Sequence, residues 1–175
     1  MAQSSTNEII AYSGVGVAAL VGLMWFHRGP HPNFTWAELS TTSTGLPNDL
    51  PLQAKKDLHR LVWSVLAPLR EVFGPLRINS GFRNLEVNTA VGGSTTSAHL
   101  HDEPGETAVD VQPADPARGN NWDIVRWLWD NGQHMNLDQV IGYHDRTHVH
   151  IGLGPRNRNQ FLAHNAGTYT SWSPS

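Results

Sequence analysis

The stretch TTSAHLHDEPGETAVDVQP, residues 95 to 113, sets His99, His101 and Asp102 before a Pro-Gly turn and Asp110 after it. Imidazole and carboxylate are the donors that hold zinc where thiolate is absent. A second supply lies in THVHI, residues 147 to 151, where strand alternation puts His148 and His150 on one face. Two adjacent imidazoles suit a metal or catalytic pair, or else a solvated strand face. A catalytic zinc ion takes three protein donors from separate elements and keeps one position for water. His99, Asp110 and one of the pair His148/His150 would form such a set, with two neutral imidazoles and one carboxylate. The chain has no cysteine. That excludes a disulfide framework, a thiolate nucleophile and a Cys-type zinc site. Of its ten histidines, six fall between residues 99 and 150.

Positioning these groups requires elements around them. LRINSGF (76–82) and TAVDVQ (107–112) read as strands. LDQVIGY (137–143) and THVHIGL (147–153) read as two more, joined by HDR in hairpin spacing. The apolar positions Leu58, Leu61, Val62, Val65, Leu66, Leu69, Val72 and Phe73 recur every three or four residues, predicting a helix that Pro68 kinks and Gly74-Pro75 ends. TWAE (35–38) has capping-box spacing and opens a short helix. NLEVNTAV is a second short helix closed by Gly92-Gly93. NNWDIVRWLWDNG (120–132) is a third, capped by Asn and ended by Gly132. Mixed helices and strands with a terminal hairpin predict an α+β domain, a small antiparallel sheet flanked by helices. After Pro155 the chain is rich in Arg, Asn, Ser and Thr without periodicity, and reads as a tail.

The amino-terminal part differs in kind. After residues 1–8, Ile9 to Phe26 run 18 residues without a charge between Glu8 and His27-Arg28. That suffices to span a bilayer at the short end of the range, and the opening MAQSSTNE lacks the basic start of a signal peptide. We therefore expect one transmembrane anchor at 9–26, a linker at 27–33, a globular domain at 34–155 and a tail at 156–175. Lys+Arg 12 against Asp+Glu 15, a net charge of −3, leaves no basic footprint for nucleic acid.

SGFRN, NTAVGGSTTSAH, TAVDV and HVHI, in this order, resemble the zinc D-alanyl-D-alanine carboxypeptidase and L-alanyl-D-glutamate endopeptidase family, which cuts peptidoglycan peptides. The resemblance runs from about residue 33 to 153. It implies one Zn²⁺ held by His99, Asp110 and His150. It also implies that Ser97 sits beside the metal site and that Arg83 offers its guanidinium fork to a substrate carboxylate or carbonyl. Two departures stand out. Many members carry Glu or Asp three residues before the last His ligand, and this chain has Thr147. The H-x-H arrangement is similar instead to the lysostaphin-type peptidases and the hedgehog amino-terminal domain. On that basis His148 is the expected acid/base or transition-state stabiliser, with Asp145 as the competing base. The family also spaces its first His and Asp by about seven, against eleven here, so HDEPGE reads as an insertion. His101 and Asp102 then become residues of a solvated loop at the mouth of the site.

The expectation is a membrane-anchored zinc peptidase of the carboxypeptidase or endopeptidase type, with its catalytic domain facing the cell wall. Its partners would be a peptidoglycan stem peptide or cross-link and, through the helix, the membrane of a bacterium or virion. Such an enzyme suits wall remodelling or bacteriophage lysis as an endolysin. The rival is a non-catalytic, zinc-stabilised structural or wall-binding protein, motivated by Thr147.

Overall fold

The computed structural model describes residues 28–174, so the expected anchor at 9–26 and the tail 1–8 lie outside the described residues. Among the described residues no helix is long and apolar enough to cross a membrane. The capping box forms as its spacing requires. Thr35 accepts from the Glu38 amide and Glu38 reaches back to the Thr35 amide, opening α1 (Trp36–Leu39). The long apolar stripe folds as α2 (Leu52–Leu61), a π-helical turn (Val62–Leu66) and α3 (Ala67–Phe73). Pro68 explains the wide turn, because its ring collides with the carbonyl four residues back and it offers no amide to the ladder. Val72, expected within the stripe, is 46 % exposed and faces solvent.

The strands are β1 (Leu76–Ser80), β2 (Thr107–Pro113), β3 (Leu137–Tyr143), β4 (Val149–Leu153), β5 (Gln160–Asn165) and β6 (Thr168–Ser171). Between them lie α4 (Leu85–Ala90), capped by Asn84, and α5 (Asn121–Asn131), capped by Asn120 and ended at Gly132. They form one sheet in the order β1-β2-β4-β3-β5-β6, with β3 and β4 the expected antiparallel hairpin. Val109, Val111, Val140, Val149, Ile151 and Phe161 share the apolar core with Leu58, Leu61, Leu66, Ile124 and Leu128 of the helices. Strand alternation sends Asp110, Ile141, His150 and Leu162 to the opposite face.

Two expectations are corrected. The sheet is mixed, because β5 pairs parallel with β3. Residues 156–175 are also no mere tail, since β5 and β6 extend the sheet. Their signal is weak for a physical reason: β5 has only Phe161 and His164 buried, and all four residues of β6 are exposed. What fixes them is the turn after β4. There Asn157 and Asn159 adopt left-handed φ values of 43° and 48°, and the Asn159 amide donates to the Leu137 carbonyl. Trp172 closes the strand pair, its amide donating to Phe161 and its ring 5.7 Å from that of Trp129.

The same turn carries an ion pair. Arg158 grips the 8 %-exposed Asp138 carboxylate through Nε (3.0 Å) and Nη2 (2.6 Å), and a β3 register shift between Leu137 and Gln139 accompanies it. Burial alone would raise Asp138, but hydrogen bonds from the Arg158 side chain and amide hold it below its ordinary value. A depressed carboxyl stabilises the fold above its unfolded pKa, about 3.9, and the contribution disappears as pH falls through the lower folded value. Arg158→Ala is expected to cost about 1 kcal/mol at pH 7, a modest figure because the guanidinium is 39 % exposed. Thermal melts at pH 7 and pH 2.5 check it: the deficit should be full at the first and smaller at the second.

Candidate metal centre

Three elements converge on one point of the sheet's polar face. His99 comes from a 3₁₀ turn (Ala98–Leu100), Asp110 from the middle of β2, and His150 from β4, where it is the direct cross-strand partner of Asp110. His99 Nε2 lies 3.2 Å from His150 Nδ1 and 3.3 Å from Asp110 Oδ1, and His150 Nδ1 lies 3.1 Å from the same oxygen. All three residues are buried, and they make the single cluster among the described residues able to hold a metal ion. The distances test the fit. Zinc bonds of about 2.0–2.1 Å in a tetrahedron require ligand atoms about 3.3 Å apart, and the observed edges match. Of the two histidines on β4's approach, it is His150 that joins the set.

The surrounding backbone explains why SGFRN and SAH occur together. His99 Nδ1 lies 2.6 Å from the Gly81 carbonyl. A carbonyl only accepts, so Nδ1 carries the proton and Nε2 keeps its lone pair for a metal. The Arg83 amide donates back to the His99 carbonyl at 2.9 Å. Ser97 caps the 3₁₀ turn, its Oγ 3.4 Å from the His99 amide, and lines the cleft beside it.

Arg83 is the hub behind the carboxylate. It donates through Nε to Ser80 (2.9 Å), through Nη1 to Asn88 (3.3 Å) and through Nη2 to Asp110 Oδ2 (3.2 Å). A β1 bulge between Ile78 and Ser80 sets Ser80 opposite Asp110 and so makes the first contact possible. Asn88, 1 % exposed, ties this hub to the loop by donating to the Ser94 carbonyl. Gly93 must lack a side chain there, because a Cβ would stand 2.2 Å from Asn88 Oδ1. Three of Arg83's five N–H groups are thus committed, and two remain for the cleft it lines. Burial would raise the Asp110 carboxyl, but the charges and hydrogen bonds of His99 and His150 hold it well below the usual range. Burial drives His99 the other way, below the ordinary imidazole value. A carboxylate held anionic at Asp110 and a ring held neutral at His99 are the forms in which these groups bind a divalent ion.

Other expected residues fall elsewhere. His148 immediately precedes β4, packs its ring 5.1 Å from Tyr143, and is lowered by burial with Asp110 opposing. Its turn is held by buried Asn121, whose amide group donates to the Tyr143 and Arg146 carbonyls. Asp145 is 53 % exposed, with His164 Nδ1 3.7 Å away, and does not line the cleft. Thr147 is exposed and donates to Gln112. The inserted loop corrects the sequence reading. His101 is buried, takes a left-handed φ of 57°, packs edge-on against Phe82 and sits 3.3 Å from Thr107 Oγ1. Burial lowers it to about 3, so it is neutral. Asp57 accepts from the Gly105 amide and Arg60 donates to the Gly105 carbonyl, which clasps the loop to α2. Asp102 alone of the two keeps the expected place at the mouth.

The centre opens into a cleft of about 1050 Å³. Tyr143, absent from the sequence reading, lines it beside the centre, and burial followed by the nearby Asp110 charge raises its hydroxyl above the ordinary value. Its signal was positional: Gln139, Ile141 and Tyr143 alternate onto the face that carries His150's cross-strand partner. Peptidase M15 is the family that matches the chain, over residues 32–152, close to the span of the resemblance in the sequence. No curated protein matches it significantly.

Proposed function

This chain belongs to the M15 peptidase family, and on that premise we propose that it is a zinc peptidase hydrolysing peptide bonds of peptidoglycan. The observation that carries the reading is the buried meeting of His99 Nε2, Asp110 Oδ1 and His150 Nδ1 within 3.3 Å of one another. Bound zinc supplies Lewis-acid chemistry, polarising a carbonyl and acidifying water toward neutral pH. The protein's own groups supply the rest. Gly81 and Arg83 fix the ligand tautomer and the ligand charge. Tyr143 keeps its proton and donates its O–H toward negative charge developing on the substrate carbonyl oxygen. His148, neutral because burial lowers it, accepts a proton from attacking water on a ring nitrogen and returns it to the leaving amine. Neither His148 nor Asp145 itself lines the cleft, and we prefer His148 because its ring packs on the cleft-lining Tyr143, whereas Asp145 is 53 % exposed beside His164. Ser97 and the two free N–H groups of Arg83 are the proposed substrate contacts. Residues 9–26 are the proposed anchor, which would hold this domain at a bacterial or virion membrane facing the wall.

The full chain purified in detergent, loaded with zinc and mixed with peptidoglycan, should release new amino termini detectable by mass spectrometry. Bound zinc without new termini would establish the structural, non-catalytic alternative. Fractionation of cells expressing the chain should place it with membranes, and deletion of 9–26 should release it. Tyr143→Phe is expected to lower kcat by about 10²-fold with zinc content unchanged. Asp145→Asn should stay within about twofold of the unaltered chain, and a loss as large as that of His148→Ala would move the base to Asp145.

A further inference from the structure

The outward side of α2 and of the π-helical turn after it carries residues that the metal centre does not use. Leu58 and Leu61 turn inward to the core. The opposite side presents Leu52, Lys55, Lys56, His59 and Trp63, spaced by threes and fours along one helix face. The first four border one surface depression, and the His59 ring lies 6.2 Å from that of Trp63. Leu52 is 64 % exposed and Trp63 51 %, so two large apolar side chains stand in solvent beside two lysines. Neither lysine has an ion pair among the described residues, and Lys55 rests over the Trp36 ring at 5.8 Å. The acid of the same helix, Asp57, is buried and turned to Gln53 and the Gly105 amide. Glu71, the acid that acts on His31, is accompanied there by Arg70. The face is therefore apolar and cationic together, the combination that suits a lipid interface.

What covers it follows from where the chain enters the domain. Trp63 Nε1 donates to the Pro30 carbonyl at 2.9 Å, and the His31 ring packs edge-on against the same indole, 4.7 Å away. The entering segment is thus fastened to one end of the stripe. Pro30 comes four residues after Phe26, the last residue of the uncharged run. Four residues of chain reach at most about 14 Å. With residues 9–26 in a bilayer, the stripe begins within about that distance of its surface. Exposed Arg28 adds a further cation in the same short connection. Tryptophan favours the membrane–water boundary, and anionic headgroups attract lysine and arginine.

Sheet topology sets what such a contact does. Val109, Val111, Val149 and Ile151 share the core with α2, whereas Asp110 and His150 point to the other side, where the cleft opens. A bilayer beneath α2 leaves the cleft directed away from it. The acids Asp102, Glu103 and Glu106 line that cleft and not the stripe. We propose that the stripe from Leu52 to Trp63 lies on the anionic headgroups of the bilayer that holds residues 9–26, so that anchor and helix together aim the cleft outward. This rests on the proposed anchor and not on the peptidase reading.

The chain has no cysteine, so a single introduced one can be labelled selectively. The full chain is labelled with an environment-sensitive fluorophore through Leu52→Cys, or through Thr95→Cys on the cleft. It is reconstituted into vesicles of phosphatidylcholine alone or mixed equally with phosphatidylglycerol, each with a nitroxide lipid quencher at headgroup depth. Flotation on a density gradient reads the anchor, and quenching reads the face. The chain is expected to float with both vesicles. Each lysine at an anionic surface shifts the docked population about fivefold, so the label at 52 should be quenched about threefold or more strongly in the anionic vesicles. The label at 95 should be quenched little in either. Lys55→Glu/Lys56→Glu should bring the label at 52 to within about 1.5-fold between the two vesicles, with flotation and thermal melt unchanged. Flotation without the extra quenching at 52 overturns this inference alone, as does extra quenching that survives the double charge reversal or that appears equally at 95. Failure to float with either vesicle fells the anchor reading and this inference with it.

Discussion

Replacing His99 with alanine is expected to remove the bound metal ion and to slow the proposed peptidoglycan hydrolysis by about 10³-fold or more. Loss of metal charge stabilisation costs several kcal/mol, and each 1.36 kcal/mol is tenfold in rate. His99 is the most informative ligand to remove. It is 2 % exposed, its Nδ1 is taken by Gly81, and only Nε2 faces Asp110 and His150. Among the described residues no other side chain is placed to replace it, since His101 turns away onto Phe82. Metal analysis by mass spectrometry and release of amino termini are measured together, with a thermal melt of the metal-free proteins. A metal-free variant that melts near the metal-free parent yet loses hydrolysis assigns the loss to the ion. Zinc retained at full stoichiometry in His99→Ala would show that the ion is held elsewhere.

How much of this was legible in the sequence depends on what kind of force set each feature. Caps and periodicity are local, so Thr35, Asn84, Asn120 and Gly132 could be read as helix boundaries from neighbouring residues alone. The strand holding Asp110 and the hairpin holding His150 were also local patterns. Their register, which brings the two ligands side by side, was not. Residue chemistry alone left His148 and His150 equivalent, and the resemblance to a family chose between them. The geometry then gave that choice its physical content. Features made by long-range contacts were misread. His101 sits in a polar run and looked solvated, but Phe82 and Thr107 bury it from outside that run. β5 and β6 lack alternation because the turn at 154–159 and Trp172, not a buried stripe, hold them to the sheet.

Gly81→Ala is the substitution expected to damage the centre most without touching a ligand. An added Cβ would lie 2.1 Å from the Leu39 carbonyl oxygen, a distance that real side chains do not adopt, and the obstacle is backbone rather than a flexible tip. Something must move, and both neighbours are tied. The Phe82 amide donates to that same Leu39 oxygen at 2.8 Å, and the Gly81 carbonyl accepts from His99. Separating the two segments breaks the first bond and rotates the second away from Nδ1. The strain of overpacking, about 1–3 kcal/mol, adds to a lost hydrogen bond in a buried place, so a loss of about 2–4 kcal/mol in stability is expected. The functional effect is separable from it. His99 loses the acceptor that selects its tautomer, and removing such a partner typically weakens metal binding 10- to 100-fold. Zinc titration against a competing chelator well below the melting temperature reads that affinity directly. An unchanged affinity in a folded Gly81→Ala protein would mean that the Gly81 carbonyl does not set the His99 tautomer, and that the close packing of SGFRN against α1 serves stability alone.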